Sequence, residues 1–213
     1  MAQILVIGAS RGIGLEVVRQ GLERGHRIRA FARGADAIEV DDPALEKVAG
    51  DATDPRAVAQ ALDGVDAVVL ALGVPKDYKF IVKPVTLFSE ATETLLPVME
   101  EHGVRRLVAV TGFGAGRSRA ALSGLEKVPF KLVMGRAYDD KSRQEEMIEG
   151  SGLDWTIVRP GILTANRKTG DYKVLVSPDE WRNGVIPRAD VADFILTALE
   201  GGSHVRGDPV LVR

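Results

Sequence analysis

Several residue types that build common functional sites are absent or scarce in this chain of 213 residues, which has no cysteine and three histidines. Without cysteine, the chain forms no disulfide, no thiol nucleophile and no cysteine-ligated metal centre. His26, His102 and His204 lie far apart and outside any metal-ligand spacing, so we expect no metal site. The formal net charge of -2 gives no electrostatic reason to expect nucleic acid or an anionic membrane as a partner.

Long apolar runs are also missing. The longest, residues 67–73, is far shorter than the roughly twenty residues that span a bilayer. An apolar run already begins at Gln3 and leaves no room for a signal peptide, so we expect a cytoplasmic location. The length fits one domain over residues 1–213, and we expect a small-molecule partner. Monomer and homodimer both stay open.

The first fourteen residues predict a strand, a glycine-rich turn and a helix. The apolar run Gln3–Ile7 ends at Gly8, and apolar positions then recur at helical spacing from Leu15 until Gly25. The unpaired amide N–H groups and the dipole at the start of a helix favour a pyrophosphate. Glycines in the turn allow close approach of the phosphate and of the helix to its strand. The predicted dinucleotide-binding residues here are Gly8, Ser10, Arg11, Gly12, Ile13 and Gly14.

The end of the second predicted strand, residues 27–33, favours one form of the dinucleotide. An Asp or Glu about twenty residues beyond the glycine turn would bind the ribose 2′-hydroxyl of NAD. Arg33 stands there instead, and its guanidinium, with Arg11, suits a 2′-phosphate. We therefore expect NADP(H) to be favoured over NAD(H). The alternative is that Arg33 is a solvated charge and that Asp36 contacts the ribose in an NAD enzyme.

Strands and helices alternate along the rest of the chain. We predict strands at 45–49, 66–72, 106–111 and 155–159, and helices at 55–62, 85–102 and 141–150. This alternation predicts right-handed crossovers and an α/β fold with a doubly wound parallel sheet, the NAD(P)-binding Rossmann fold. Ligands bind beyond the carboxyl ends of such strands, which adds the cofactor-binding candidates Asp51, Ala52, Leu72, Gly73, Thr111, Pro160 and Gly161.

Two stretches, at about 113–139 and 164–187, interrupt the alternation and predict a small substrate-side lobe, the first as a lid and the second as a floor. The alternative is that they cover the sheet edge and face water. Aromatic and basic residues in them suit a flat, anionic or aromatic substrate: Phe113, Phe130, Tyr138, Tyr172, Trp181, Arg117, Arg119, Arg136 and Lys168.

The sequence resembles the atypical short-chain dehydrogenase/reductase family over nearly its whole length. The resemblance is to the NAD(P)H-binding branch that contains biliverdin reductase B, a flavin reductase, and NmrA-like proteins. It implies a Rossmann fold, a dinucleotide at the first glycine turn and usually NADP(H). The motifs that carry it are GASRGIG at 8–14, GDATD at 50–54, VTG at 110–112, SGLDWTIVRPG at 151–161 and IPRADVA at 186–192.

The catalytic pair of typical family members is missing. Those members use a tyrosine with a lysine four residues later, which lowers the pKa of the phenol. Here Tyr78, Tyr138 and Tyr172 are followed at that spacing by Val82, Ser142 and Val176.

Three catalytic candidates remain, namely Thr111, Tyr138 and Lys141. Tyr138 and Lys141 would be neighbours on a helix that starts early enough, and Thr111 supplies a hydroxyl at the end of the fifth strand. The resemblance implies that Lys141, after the acidic pair Asp139 and Asp140, lies near the cofactor in a ribose or proton-relay role. The alternative is an exposed charge pair in the first turn of a helix.

This departure narrows the predicted chemistry. Reduction of a simple ketone needs an acid for the forming alkoxide, whereas a conjugated acceptor delocalises the charge. Our hypothesis is an NADP(H)-dependent oxidoreductase that transfers hydride to a flavin or quinone. One alternative is a sugar-nucleotide epimerase or carbonyl reductase with an acid near Tyr138 or Thr111. Another is a non-catalytic NAD(P)-binding redox sensor that docks on another protein. Asp190 is predicted to cap the last helix.

Overall fold

The computed structural model describes residues 1–73 and 85–213, with 124–133 described by their backbone alone. Tyr78 and Val82 lie outside the described residues. The helices are α1 (Gly12–Glu23), α2 (Pro55–Leu62), α3 (Leu87–Glu101), α4 (Gly124–Glu149) and α5 (Arg188–Glu200). The strands are β1 (Gln3–Ile7), β2 (Arg27–Ala32), β3 (Leu45–Ala49), β4 (Ala67–Leu70), β5 (Arg106–Val110), β6 (Asp154–Pro160), β7 (Ile162–Thr164), β8 (Lys173–Leu175), β9 (Val185–Pro187) and β10 (Val210–Val212).

In the described part of the chain, eight strands form one sheet in the order β3-β2-β1-β4-β5-β6-β10-β8. Every neighbouring pair is parallel except β10 and β8. The strand order reverses between β1 and β4, which places a ligand crevice at their carboxyl ends. The predicted doubly wound parallel sheet is confirmed.

The central strand β1 is buried on both faces, as its unbroken apolar run predicts. Ile4 and Val6 belong to a core cluster with residues of α1 and α5. Leu5 and Ile7 belong to a second cluster with residues of α2 and α3, because successive side chains of a strand point to opposite faces. The sheet thus carries α1 and α5 on one face and α2 and α3 on the other.

The helix that we predicted to begin near residue 141 begins at Gly124, so the predicted start was wrong. Residues 124–139 contain Pro129 and Gly135, which are disfavoured inside helices and hide the helical pattern. The preceding residues include one short 3-10 turn, Gly116–Ala121. The second predicted interruption contains β8, which extends the main sheet, and β9, which pairs with β7.

Candidate active site

A cavity of about 910 Å³ opens where β1 to β6 end. Its volume lies in the range of roughly 300–1,000 Å³ that is typical of cofactor and small-molecule sites. It lies at the strand-order reversal, where open parallel sheets bind ligands. Almost all of the predicted site residues line it: Gly8, Ser10, Arg11, Gly12, Ile13, Arg33, Asp51, Ala52, Leu72, Gly73, Thr111, Tyr138, Lys141, Pro160 and Gly161.

The glycine turn admits no side chain at two positions. Gly8 has a φ of +89°, and a Cβ there would lie 2.6 Å from the carbonyl oxygen of Ala71. Gly14 lies beneath the cavity, where a Cβ would collide with the carbonyl oxygen of Gly8. Gly12 faces open space, and among the described residues only the Arg188 side chain comes within 4 Å of the Cβ position. The turn therefore packs α1 against β1 and leaves room above the first residue of the helix.

One end of the cavity lies beyond β2 and β3. The exposed Arg33 follows β2, and Asp51 follows β3. The Asp51 carboxylate accepts hydrogen bonds from the amide nitrogen of Thr53 at 3.0 Å and from its hydroxyl at 2.9 Å. These bonds, with a smaller contribution from Arg33, lower the pKa of Asp51. The Asp51 carboxylate therefore stabilises the loop that follows β3. Asp36 lies in a 3-10 turn and is not among the described residues that line the cavity.

The other end of the cavity is organised by Thr111, which follows β5. Its carbonyl oxygen accepts a hydrogen bond from the Lys141 ammonium at 2.5 Å, and its hydroxyl donates to Glu145 at 2.5 Å. Both partners lie on α4. Burial lowers the pKa of Lys141 to about 8, although the carboxylates of Glu145 and Asp140 oppose this shift. Because the Thr111 hydroxyl donates to Glu145 on α4, this hydroxyl anchors the end of β5 to α4.

Tyr138 lies one turn before Lys141 on α4, so the prediction that the two residues are helical neighbours is confirmed. The Lys141 nitrogen is 5.8 Å from the centre of the Tyr138 ring. A Cβ on Gly112 would lie 2.5 Å from the Tyr138 hydroxyl, so the glycine makes room for the phenol. Burial and the nearby Glu145 carboxylate raise the pKa of Tyr138 to about 12. The phenol is protonated at neutral pH and is a weak acid.

Asp139 and Asp140, the two acidic residues before Lys141, make different contacts. The buried Asp140 carboxylate accepts hydrogen bonds from the amide nitrogens of Phe88 at 2.8 Å and Ser89 at 3.3 Å, and so caps α3 from α4. Asp139 is exposed and pairs with Arg119 at 2.8 Å. The alternative of an exposed charge pair in a first helical turn is therefore wrong, because α4 begins much earlier and Asp140 and Lys141 are buried.

Behind Thr111 lies a buried ionic network that we did not predict. Arg159, which is fully buried, donates to Glu145 at 2.7 Å and 3.1 Å and to Asp208 at 2.5 Å. Burial alone would lower the pKa of Arg159, but its contacts with Glu145 and Asp208 raise it above the usual value. The one signal in the sequence is a charged residue that directly follows the apolar residues Ile157 and Val158 near the end of β6.

Of the aromatic and basic residues predicted to suit the substrate, only Tyr138 lines the cavity among those that the structure describes. Phe113 and Trp181 belong to a separate apolar cluster. Tyr172 and Lys168 both contact Asp193. Arg117 pairs with Asp208, Arg119 pairs with Asp139, and Arg136 is exposed. Phe130 belongs to the residues that are described by their backbone alone. The apolar residues Leu87, Met134 and Leu163 also line the cavity.

The motif at 186–192 has a different role from the one that we predicted. Asp190 does not cap α5. Its buried carboxylate accepts hydrogen bonds from the amide nitrogens of Thr169 at 2.7 Å and Gly170 at 3.0 Å and from the Thr169 hydroxyl at 2.6 Å. The return of this loop onto α5 has no local signal in the sequence. Arg188, from the same motif, lines the cavity and was missed.

The described geometry, a glycine turn beneath a cavity at the ends of parallel strands, agrees with a comparison against protein families. The model of a family described as NAD(P)H-binding matches residues 8–201. The chain belongs to the NAD(P)H-binding family. The predicted resemblance is thereby confirmed, and so is a nicotinamide cofactor. Whether this cofactor is the phosphorylated form stays a prediction.

Some of the proteins that the chain resembles are named as reductases. The chain is 28% identical over 211 residues to an NAD(P)H azoreductase of Xenophilus azovorans. The alignment covers 94% of this chain and 64% of that protein. The chain is 29% identical over 202 residues to a chloroplastic protein of Arabidopsis thaliana, with coverages of 92% and 71%. An anaerobilin reductase of Escherichia coli O157:H7 has a similar structure, with a TM-score of 0.82, 26% identity and coverages of 99% and 96%. The prediction of an oxidoreductase is confirmed at this level.

Two further predictions concern the location of the protein in the cell and its oligomeric state. No helix among the described residues is both long and apolar enough to cross a membrane. Some plant relatives are named as chloroplastic proteins, and the cytoplasmic location stays a prediction, as does the choice between monomer and homodimer.

Proposed function

We propose that this protein transfers hydride from NADPH to a conjugated acceptor such as a flavin or a quinone. The observation that carries the proposal is the state of Tyr138, whose pKa is raised to about 12. In the pair that typical family members use, the lysine lowers the pKa of the phenol. Here the Lys141 ammonium donates to the Thr111 carbonyl, and the Glu145 carboxylate disfavours the phenolate. The Tyr138 phenol is therefore a weak acid for the alkoxide that forms when a simple ketone is reduced. A conjugated acceptor needs such an acid less, because it delocalises the negative charge that hydride transfer creates.

The residues of the cavity fit a nicotinamide dinucleotide. Gly12 leaves space above the amino end of α1, where amide N–H groups bind a pyrophosphate. Arg33 and Arg11 line the cavity on the side of β2, where their guanidinium groups suit a 2′-phosphate. Thr111 and Pro160 line the opposite side, where we place the nicotinamide. When bound, the cofactor supplies the hydride.

The chain's own residues then have three tasks in the reaction. Lys141 and Glu145 fix Thr111, and hence the end of β5, against α4. Leu87, Met134 and Leu163 give the acceptor an apolar wall that excludes water and aligns its ring near the nicotinamide. Tyr138, whose phenol stays protonated, lines the same cavity and contacts the acceptor. The names of the azoreductase and the anaerobilin reductase support an acceptor of the conjugated class.

The cofactor preference is tested by titrating NADPH and NADH into the wild-type protein and the Arg33→Ala variant. A hydrogen-bonded charge contributes enough that we expect NADPH to bind the variant about tenfold more weakly or worse, while NADH is unaffected. Arg105→Ala, which removes an exposed cation at the other end of the sheet, is the matched control. Equal affinity of the wild-type protein for NADPH and NADH would contradict the preference.

The acceptor class is tested by stopped-flow oxidation of bound NADPH. The panel contains riboflavin, flavin mononucleotide, a naphthoquinone and an azo dye, with simple ketones and aldehydes as the opposing class. We expect oxidation by conjugated acceptors alone. Oxidation by simple carbonyl compounds alone would favour a carbonyl reductase, and binding of NADPH without oxidation by any acceptor would favour the redox sensor.

A further inference from the structure

Arg188 is a charged residue of the cavity that the proposed function leaves without a task. It is the first residue of α5, it is half-buried, and it lines the same cavity as Gly12. Its Cδ and Nε atoms lie 4.0 Å from the position that a Cβ on Gly12 would occupy. The side chain therefore reaches the amino end of α1 from a helix that is distant in sequence.

The packing of α5 on α1 fixes this approach. The buried Gln20 side-chain amide donates to the Ala189 carbonyl at 2.9 Å, next to Arg188 in the chain. One turn further along α1, Arg24 pairs with Asp193 at 2.6 Å. The backbone of Arg188 is thus held beside α1 at two successive levels, and its position relative to Gly12 does not depend on a mobile loop.

The acidic residues in the first turns of α5 are occupied by other partners. Asp190 binds the loop at Thr169 and Gly170, and Asp193 contacts Arg24, Lys168 and Tyr172. Within the described part of the chain, the Arg188 guanidinium has no hydrogen bond or ion pair. An arginine without a carboxylate partner in a ligand cavity suits a phosphate, which it binds through two parallel charge-assisted hydrogen bonds.

The order of strands in the sheet indicates which phosphate group of the dinucleotide lies near Arg188. Arg33 follows β2, Gly12 lies beyond β1, and Thr111 follows β5, so Gly12 lies between the two ends of the cavity. The pyrophosphate joins the two halves of a dinucleotide and must cross this middle position. We propose that Arg188 binds the cofactor pyrophosphate from the side opposite the amide groups of α1. This inference rests on the proposed cofactor orientation and adds a third arginine, one that recognises NADPH and NADH alike.

The experiment compares ligands with and without a pyrophosphate. NADPH, NADH and ADP-ribose contain one, and adenosine 2′-monophosphate does not. In Arg188→Ala we expect all three pyrophosphates to bind about 10- to 100-fold more weakly, because a hydrogen bond to a charged group is lost, while adenosine 2′-monophosphate binds as before. Arg33→Ala should give the opposite pattern and weaken only NADPH and adenosine 2′-monophosphate. The two proposals therefore fail separately.

Three controls keep the result interpretable. Arg182→Ala removes an exposed cation that donates a hydrogen bond to the nearby Glu180 carbonyl and should change no affinity. Arg188→Lys keeps the charge without the bidentate geometry and should bind pyrophosphates with intermediate affinity. Arg188→Gln keeps most of the side-chain length in case the alanine variant is unstable, and the melting temperature of each ligand-free variant is compared. The proposal is overturned if both neutral variants bind ADP-ribose within about twofold of wild type, or if only the KM of the acceptor changes.

Discussion

The two ends of the cavity are built by different interactions. At the end beyond β1 to β3, which we call the adenosine end, close backbone contacts at Gly8 and Gly14 set the shape, and the charged side chains are exposed. At the end formed by Thr111, α4 and β6, the acceptor end, buried charges from segments far apart in sequence hold the wall, with Glu145 and Arg159 at the centre. The first end is fixed by steric exclusion around a short turn. The second depends on a satisfied ionic network, which is costly to leave incomplete.

Removal of the central cation should therefore have the largest effect. Arg159→Met leaves the buried Glu145 without its main partner, and we expect the free energy of unfolding to fall by about 3–5 kcal/mol. Chemical denaturation of the purified variant measures this. Arg105→Met, which breaks an exposed pair with Asp154, should cost at most about 0.5 kcal/mol. Similar losses in the two variants would show that the buried network does not hold the acceptor end.

At the adenosine end, a single methyl group should be harmful. In Gly14→Ala the added Cβ collides with the Gly8 carbonyl, so α1 must move away from β1, at a cost of about 1–3 kcal/mol. Nucleotide affinity should fall as well, because the amide groups at the start of α1 are displaced. Gly152→Ala is the control, since its Cβ would have no neighbour within 4 Å among the residues that the structure describes. Unchanged stability and affinity in Gly14→Ala would contradict the steric account.

The acceptor end should also respond to pH. The folded-state pKa of Lys141 is lowered to about 8, below the value of about 10.4 expected in the unfolded chain. Between these values the unfolded state binds more protons, so the stability of the wild-type protein relative to Lys141→Met should rise with pH, by at most about 1.4 kcal/mol per pH unit. Denaturation curves across this window measure the difference. Parallel curves for wild type and Lys141→Met would refute the lowered pKa.

The smallest effect is expected from the carboxylate next to Arg33. Asp51→Asn keeps the hydrogen bonds to Thr53 but removes a negative charge near the proposed 2′-phosphate site. NADPH should bind about twofold more tightly at low salt, and the gain should vanish at high salt because the charges are exposed. The same titrations with NADH should show no gain. Weaker NADPH binding in this variant would mean that the carboxylate itself contacts the cofactor.

The same contrast explains how much the sequence could reveal. The adenosine end was predictable because its residues follow the ends of predicted strands: Gly8 after β1, Arg33 after β2 and Asp51 close after β3. Parallel strands bring these positions to one edge without any further information. The parallel, doubly wound nature of the sheet followed from the same alternation of strands and helices.

The acceptor end was predictable only in part. Thr111 and Pro160 lie at strand ends, but the contacts of Lys141 and Glu145 depend on where α4 begins, and Pro129 hides this in the sequence. The partners of Asp190 and Arg188 depend on the packing of α5 against α1 and on the loop at Thr169. Such long-range contacts leave no periodic signal in the chain. A charged residue directly after apolar residues, as Arg159 follows Ile157 and Val158 in β6, is the one sign in the sequence of the ionic network behind Thr111.

Single-turnover oxidation of bound NADPH by flavin mononucleotide, in the wild-type protein and in Tyr138→Phe, tests the proposed chemistry most directly. If a conjugated acceptor needs no strong acid, the rate in the variant should fall by less than about tenfold, since general acid catalysis contributes roughly 10²–10⁴-fold where it is required. The dependence of the rate on pH should also keep its shape, because the Tyr138 phenol remains protonated below its pKa of about 12. A loss of hundredfold or more, on the order of the full contribution of an obligatory acid, would contradict the account.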